Sequence, residues 1–122
     1  MSDTEIDFEH IKQYLGDDID LTKEVFGLFK SQVEMWSRGM IADTDDDSWT
    51  AIMHSLKGSA RAVGAQRLAT LCAHGESLVA DKGNTQARAE HIHDVKYSID
   101  KALIEIGRWE YRQTLASMRS ED

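Results

Sequence analysis

The 122-residue sequence contains no proline, and this absence constrains the fold more than any other feature. Proline interrupts helices and marks turns, so a chain of this length without it favours long, uninterrupted helices. No segment alternates polar and apolar residues for long enough to indicate a β-strand. The sequence therefore predicts an all-α fold.

Breaks in the apolar periodicity divide the chain into five predicted helices. They cover residues 4–15, 18–42, 46–62, 65–81 and 85–117. Lys82 and Gly83 are expected to end the fourth helix, and Asn84 or Thr85 to cap the fifth. The second helix is expected to bury a stripe of Leu21, Val25, Leu28, Phe29, Val33, Trp36 and Met40. These helices predict a single domain over residues 1–122, an antiparallel four-helix bundle with a short additional N-terminal helix.

The charge balance and the apolar content exclude several classes of protein. Fourteen basic and twenty-two acidic residues give a formal charge of −8, whereas nucleic-acid binders usually carry a clustered basic face. There is no long apolar run and no basic–apolar–small leader, so we expect neither a membrane span nor a signal peptide. One cysteine cannot form an internal disulfide, which fits a reducing compartment. We expect a soluble, cytoplasmic protein, and a monomer because no heptad seam is visible.

His54 is predicted to lie on the polar face of the third helix. A turn of 100° per residue places Lys57, Gly58 and Arg61 on the same side as His54. The opposite side carries one apolar arc, formed by Trp49, Ile52, Met53, Leu56, Ala60 and Val63. Gly58 costs about 1 kcal/mol in mid-helix, but it leaves space beside the imidazole. A solvated histidine without a role is the alternative, and the open, cationic surroundings favour a functional one.

The fourth helix is expected to bring a carboxylate to His54. Gly64 and Ala65 are predicted to reverse the chain, so that the third and fourth helices form a hairpin. His54 and Glu76 each stand eleven residues from Ala65 and should lie at the same height, whereas His74 falls on the opposite flank. A carboxylate that accepts a hydrogen bond from Nδ1–H would leave the Nε2 lone pair outward, as a nucleophilic imidazole requires.

Residues 54–76, HSLKGSARAVGAQRLATLCAHGE, resemble the histidine-containing phosphotransfer (HPt) domain. The matching positions are His54, Leu56, Lys57, Gly58, Ser59, Ala60, Val63, Gly64, Ala65, Leu68, Cys72 and Glu76. Gly75 departs from the pattern, because an apolar residue, commonly leucine, usually precedes the acid. This departure concerns local packing more than chemistry: it leaves open whether the packing is loosened or another side chain fills the space, and it bears on how Glu76 is held.

The resemblance implies a phosphorelay carrier. His54 would accept a phosphoryl group from the aspartate of a receiver domain, often part of a hybrid histidine kinase, and pass it to the aspartate of a response regulator. Lys57 would offset the phosphoryl charge and Gly58 would give the receiver clearance, while a role for Arg61 depends on the helical wheel alone. Gly64, Ala65, Leu68 and Cys72 would be structural positions of the motif.

The resemblance also bears on cofactors and on catalysis. No cofactor of its own is expected, and magnesium is expected on the partner receiver domain. The sequence has no nucleotide-binding glycine loop, so we do not expect the chain to phosphorylate itself from ATP. It is expected to act as a phosphocarrier more than as an autonomous enzyme.

The short first helix has two possible roles. Phe8, Ile11 and Leu15 are candidates for part of an apolar patch that docks the receiver domain. The same residues are equally suited to cap the core of the bundle, since a short helix at a bundle end normally buries one face.

Two other classes of function are weighed against a phosphocarrier. A metal-binding bundle would use Cys72, His74, His91 and His93, but the sequence lacks the inward-facing Glu-x-x-His sets of such bundles. His91 and His93 are two residues apart and cannot share a helix face. An adaptor that keeps the HPt shape without carrying phosphate would not need His54, Lys57 and Gly58, and all three are present.

Overall fold

The computed structural model describes residues 4–78 and 85–120. Within these ranges all regular structure is helical: α1 Phe8–Leu15, α2 Ile19–Ser37, α3 Asp46–Ala62, α4 Gln66–Glu76 and α5 Thr85–Ser120. Helices α2 to α5 pack in a ring in which α3 contacts α2 and α4, and α5 contacts the same two helices. The predicted all-α bundle with a short additional helix is confirmed. Among the described helices, none is sufficiently long and apolar to cross a bilayer.

Several helices begin or end at residues that differ from those predicted by the apolar periodicity. Helix α1 begins at Phe8 instead of residue 4, because the Asp7 carboxylate caps it by accepting from His10 N at 3.1 Å. Helix α2 ends at Ser37 instead of residue 42, and Gly39 N donates to Trp36 O at 3.2 Å across the tightened end. Helix α4 ends at Glu76 instead of 81, and α5 continues to Ser120. The turn predicted at residues 82–84 lies outside the described residues.

The core lies between the inner faces of α2 to α5. Helix α3 buries the whole predicted apolar arc. On α2 the buried face consists of Thr22, Phe26, Phe29 and Val33, which is rotated from the predicted stripe, so that Leu28 is 59% exposed. The sequence pattern does not indicate this face, because the polar Thr22 interrupts its apolar residues. Its hydroxyl donates to Asp18 O at 2.8 Å, which lets a threonine occupy a buried position without an unpaired group.

The hairpin between α3 and α4 turns at Gly64. Its φ of 69° is a left-handed conformation that glycine adopts at little cost. Ala65 N donates to Ala60 O at 2.8 Å and Gly64 N to Arg61 O at 3.2 Å, the two hydrogen bonds of a Schellman motif. Gly64 O in turn accepts from Asp7 N at 3.0 Å, which ties the N-terminal segment to the hairpin.

Helix α1 covers one end of the bundle. Phe8 meets Phe26 edge-on with ring centroids 6.0 Å apart, and Phe26 meets Trp109 in the same way at 5.1 Å. Ile11 is only 4% exposed, and Leu15 packs against the core. These α1 residues therefore pack against the core, and because Ile11 and Leu15 also line an apolar depression at the surface, the docking role stays a prediction.

The buried Arg88 joins three parts of the fold. Its guanidinium donates to Leu78 O at 3.2 Å and to Thr44 O at 3.0 Å, and it pairs with the Asp46 carboxylate. The same group lies 4.6 Å from the centre of the Trp49 ring, within cation–π distance. Arg88 thus connects the start of α5 to the α2–α3 loop, to the first turn of α3 and to the turn after α4.

We predict that Arg88→Met lowers the free energy of unfolding by about 2–3 kcal/mol, because partly buried carbonyl groups and the Asp46 carboxylate lose their donor. Arg38→Met is the matched control, since the ion pair of Arg38 with Glu34 is exposed, and it should change stability by less than about 0.5 kcal/mol. Urea unfolding followed by circular dichroism measures both. Equal effects of the two substitutions would contradict a structural role for the buried guanidinium.

Candidate histidine site

His54 projects from the outer face of α3, and its side chain is 75% exposed. Its Nδ1 faces α4 and lies 3.6 Å from Glu76 Oε1. The predicted height match between His54 and Glu76 across the hairpin is therefore confirmed. This orientation leaves Nε2, the other ring nitrogen, on the side of the imidazole away from Glu76.

Glu76 is paired more closely with Lys57 than with His54. Lys57 Nζ lies 2.8 Å from the same Oε1 atom, and the Lys57 side chain is only 15% exposed. We predicted that Glu76 accepts a hydrogen bond from His54, but 3.6 Å exceeds hydrogen-bond length. Lys57 lies one turn after His54 on α3, on the side that faces α4. Its long side chain therefore lies closer to the Glu76 carboxylate than the imidazole does. The Lys57 ammonium is therefore an internal partner of the acid and has little exposed surface.

The Lys57 ammonium, 2.8 Å away, holds the pKa of Glu76 below its ordinary value of 4.5, against the opposing effect of burial. The positive charge of a protonated His54 would lower the pKa of Glu76 further. Glu76 is therefore an anion at neutral pH. It places a negative charge beside Nδ1 of His54, where it favours a proton on that nitrogen.

Gly58 opens the surface beside His54. A Cβ atom built on Gly58 meets nothing within 4 Å. Gly58 lines an open groove of about 500 Å³ together with Arg61, Tyr14 and His10. Arg61 is exposed and has no ion-pair partner within residues 4–78 and 85–120. The sequence interpretation thus placed Gly58 and Arg61 correctly on one open face.

The structure adds Tyr14, which the sequence interpretation missed, to this surface. Tyr14 is 76% exposed, and its ring packs against His10 with centroids 4.8 Å apart. It lies at the rim of an apolar depression that the exposed Leu28 also lines. The sequence pattern that indicates Tyr14 is its position outside the helical face that Phe8, Ile11 and Leu15 share. Tyr14 thus adds an exposed aromatic side chain to the candidate contact surface of α1, where Ile11 and Leu15 line the same depression.

The structure explains the departure at Gly75. A Cβ atom on Gly75 would lie 2.6 Å from Met53 Sδ and 2.8 Å from His91 Nε2. These two side chains occupy the space that an apolar residue would need. The carbonyl oxygen of Gly75 also accepts a buried hydrogen bond from Trp49 Nε1 at 2.8 Å. Two side chains therefore fill in for the missing apolar residue, one of the two outcomes that the sequence left open.

The remaining motif residues lie inside the bundle. Ala65, Leu68 and Cys72 are fully buried, and burial raises the pKa of the Cys72 thiol to about 12. A thiol with so high a pKa is inert as a nucleophile at neutral pH. Over the two described ranges, no three or more His, Cys, Asp or Glu side chains are grouped so as to hold a metal ion.

The fold and the site together are a four-helix bundle that carries an exposed histidine beside an acid–lysine pair. The profile of the Hpt domain matches residues 5–109, so the chain belongs to the Hpt domain family. A similar solved structure is the histidine phosphotransferase ShpA from Caulobacter crescentus, with 26% sequence identity and a TM-score of 0.72. The match covers 93% of this chain and 98% of ShpA. Among curated proteins, no sequence is significantly similar to this chain.

His91, the buried imidazole behind Gly75, gives a prediction about pH. Burial lowers its pKa below the ordinary value of 6.5, and the nearby His74 on α4 acts in the same direction, whereas a hydrogen bond with the Leu71 backbone and the charge of Asp94 oppose this. Because the unfolded state then binds the proton more readily, His91 reduces stability as the pH falls through 6.5 toward the lowered pKa.

We therefore expect the melting temperature to fall less between pH 7.5 and pH 5.5 in His91→Gln than in the parent protein. His93→Gln is the matched control, since His93 is exposed two residues along the same helix. Its pH dependence should follow that of the parent. A His91→Gln profile that is parallel to the parent profile would show that His91 does not contribute.

Proposed function

We propose that the protein is a phosphorelay intermediate in which His54 accepts a phosphoryl group from the aspartate of a receiver domain and passes it to the aspartate of a response regulator. One observation carries this proposal. The imidazole is 75% exposed and turns Nδ1 toward the anionic Glu76, which makes Nε2 the available nucleophile. The membership in the Hpt domain family supports the same role.

The transfer step exchanges one bond to phosphorus for another. The Nε2 lone pair attacks the phosphorus of the aspartyl phosphate, the P–N bond forms and the bond from phosphorus to the carboxylate oxygen breaks. The aspartate leaves as a carboxylate with that electron pair, and the ring keeps its proton on Nδ1. Onward transfer runs the same exchange in reverse, with a second aspartate as the nucleophile.

Glu76 and Lys57 support the imidazole as a pair. As Nε2 bonds to phosphorus, positive charge develops on the ring, and the Glu76 carboxylate beside Nδ1 stabilises it. Lys57 keeps Glu76 ionised and in place by pairing with Oε1 at 2.8 Å. Arg61 is the exposed cation on the same face, and it is available to offset charge on the phosphoryl group or on the receiver domain.

The groove beside His54 is the proposed approach for the receiver domain. Gly58 leaves it open, Tyr14 lines it, and the exposed Leu28 lines an apolar depression that Tyr14 also borders. The receiver would bring its own magnesium ion to the transferred group. The chain itself would serve as acceptor and donor without using ATP, in the cytoplasm where such receivers act.

Radiolabel transfer tests the proposal. A receiver domain phosphorylated with labelled phosphate is mixed with the parent protein, with His54→Gln and with His93→Gln. We expect acid-labile, base-stable label on the parent and on His93→Gln, and none on His54→Gln. Equal labelling of all three proteins would place the phosphoryl group elsewhere. No labelling of any of them across several receivers would favour an adaptor that binds receivers without carrying phosphate.

Gly58→Ala tests whether the glycine gives the receiver domain access to His54, apart from its effect on the stability of α3. Because its Cβ meets nothing within the protein, alanine should stabilise α3 by about 0.5–1 kcal/mol. Gly107→Ala on α5 is the matched control, since Gly107 is also helical and also faces open space. We expect both variants to unfold at higher urea concentration, and only Gly58→Ala to slow phosphoryl uptake, by about tenfold or 1.4 kcal/mol in the barrier. Unchanged uptake by Gly58→Ala would contradict the clearance role.

A further inference from the structure

We infer that Trp49 is a positioning residue for Glu76 and acts through the backbone carbonyl of Gly75. The inference rests on the proposed function, because it takes Glu76 as the carboxylate that supports His54. Within residues 4–78 and 85–120, Trp49 makes no hydrogen bond to His54 or to the Glu76 side chain, so its effect on transfer would be indirect.

Glu76 is placed where a helix is least well held. It is the last residue of α4, and the carbonyl groups in the last turn of a helix lack partners within the helix. Gly75 O, one residue earlier, accepts from Leu78 N at 3.0 Å and from the buried Trp49 Nε1 at 2.8 Å. The indole of α3 therefore fixes the last turn of α4 from outside that helix.

The glycine at position 75 makes this contact possible. Any side chain there would meet Met53 Sδ and His91 Nε2 at less than 3.0 Å. Without a Cβ, the backbone of α4 comes close enough to α3 for the indole to reach the carbonyl. The residue that departs from the family pattern is thus the one whose carbonyl accepts the Trp49 hydrogen bond.

A second buried donor holds the chain on the other side of Glu76. Arg88 Nε donates to Leu78 O at 3.2 Å, and the Arg88 guanidinium lies over the Trp49 ring at 4.6 Å. The backbone is therefore tied at residue 75 and again at residue 78, with Glu76 between the two ties. This arrangement keeps the carboxylate level with Lys57 and His54.

Trp49 is also completely buried, so its positioning role must be separated from ordinary packing. If Trp49 acts on transfer through Glu76, removal of its N–H should matter only while Glu76 is a carboxylate. If Trp49 acts through packing alone, the same substitution should slow transfer to the same extent whatever residue occupies position 76. A double-mutant cycle distinguishes these two cases.

The experiment measures phosphoryl uptake from a labelled receiver domain by the parent, Trp49→Phe, Glu76→Gln and the double variant. Phenylalanine keeps an aromatic ring but cannot donate to Gly75 O. We expect Trp49→Phe to slow uptake about threefold to tenfold, the range that the loss of one hydrogen bond corresponds to. In the Glu76→Gln background, we expect Trp49→Phe to have no further effect. Trp109→Phe, at a half-buried tryptophan that packs on Phe26, is the matched control and should leave uptake unchanged.

A second measurement does not depend on phosphotransfer. Carbon-13 NMR of the Glu76 carboxyl should show its pKa rising toward the ordinary value in Trp49→Phe and in Gly75→Ala, and unchanged in Trp109→Phe. An unmoved Glu76 titration in the folded variants, or equal slowing by Trp49→Phe in both backgrounds, would overturn the inference. If the parent takes up no label, the proposed function fails, and the NMR titration still decides whether Trp49 positions Glu76.

Discussion

The packing of α3 against α4 fixes the rest of the structure. This packing depends on two glycines, Gly64 and Gly75. Gly64 reverses the chain in a left-handed conformation and accepts a hydrogen bond from the N-terminal segment. Gly75 lets the far end of α4 approach Met53 and His91 more closely than any side chain would allow. The position of Glu76 beside His54 follows from both contacts, because one sets its height along the hairpin and the other sets the distance between the helices.

The charges at the site form a graded arrangement from the interior to the surface. Lys57 is mostly buried, Glu76 is partly shielded and His54 is exposed, in that order. An ion pair that is partly removed from water interacts more strongly than one on the surface, but it must be held in good geometry. The pairing leaves the carboxylate ionised beside the imidazole, and the exposed nitrogen remains free for chemistry. The chain has a net charge of −8, and Arg61 adds an exposed positive charge near His54.

Buried and partly buried polar groups join distant segments at the two ends of the bundle. Arg88 donates hydrogen bonds to backbone carbonyls of the α2–α3 loop and of the turn after α4. At the other end, the Glu105 carboxylate accepts from the backbone of Glu5 and Ile6 at 2.8 Å each. The sequence gives no sign of either contact, because both join residues far apart in the chain. Apolar periodicity identifies which helices exist, whereas these polar contacts join segments that are far apart in the sequence.

The sequence by itself determined the class of fold, the outward direction of His54 and the match in height between His54 and Glu76. Each of these follows from a fixed local geometry: the absence of proline, the turn of 100° per residue, and the rise per residue on both sides of one reversal. Only the tertiary structure decided that Lys57 reaches Glu76 before His54 does, that α1 turns Ile11 into the core and Tyr14 outward, and that Gly75 is filled by Met53 and His91. These outcomes depend on distances between helices, which helical periodicity does not specify.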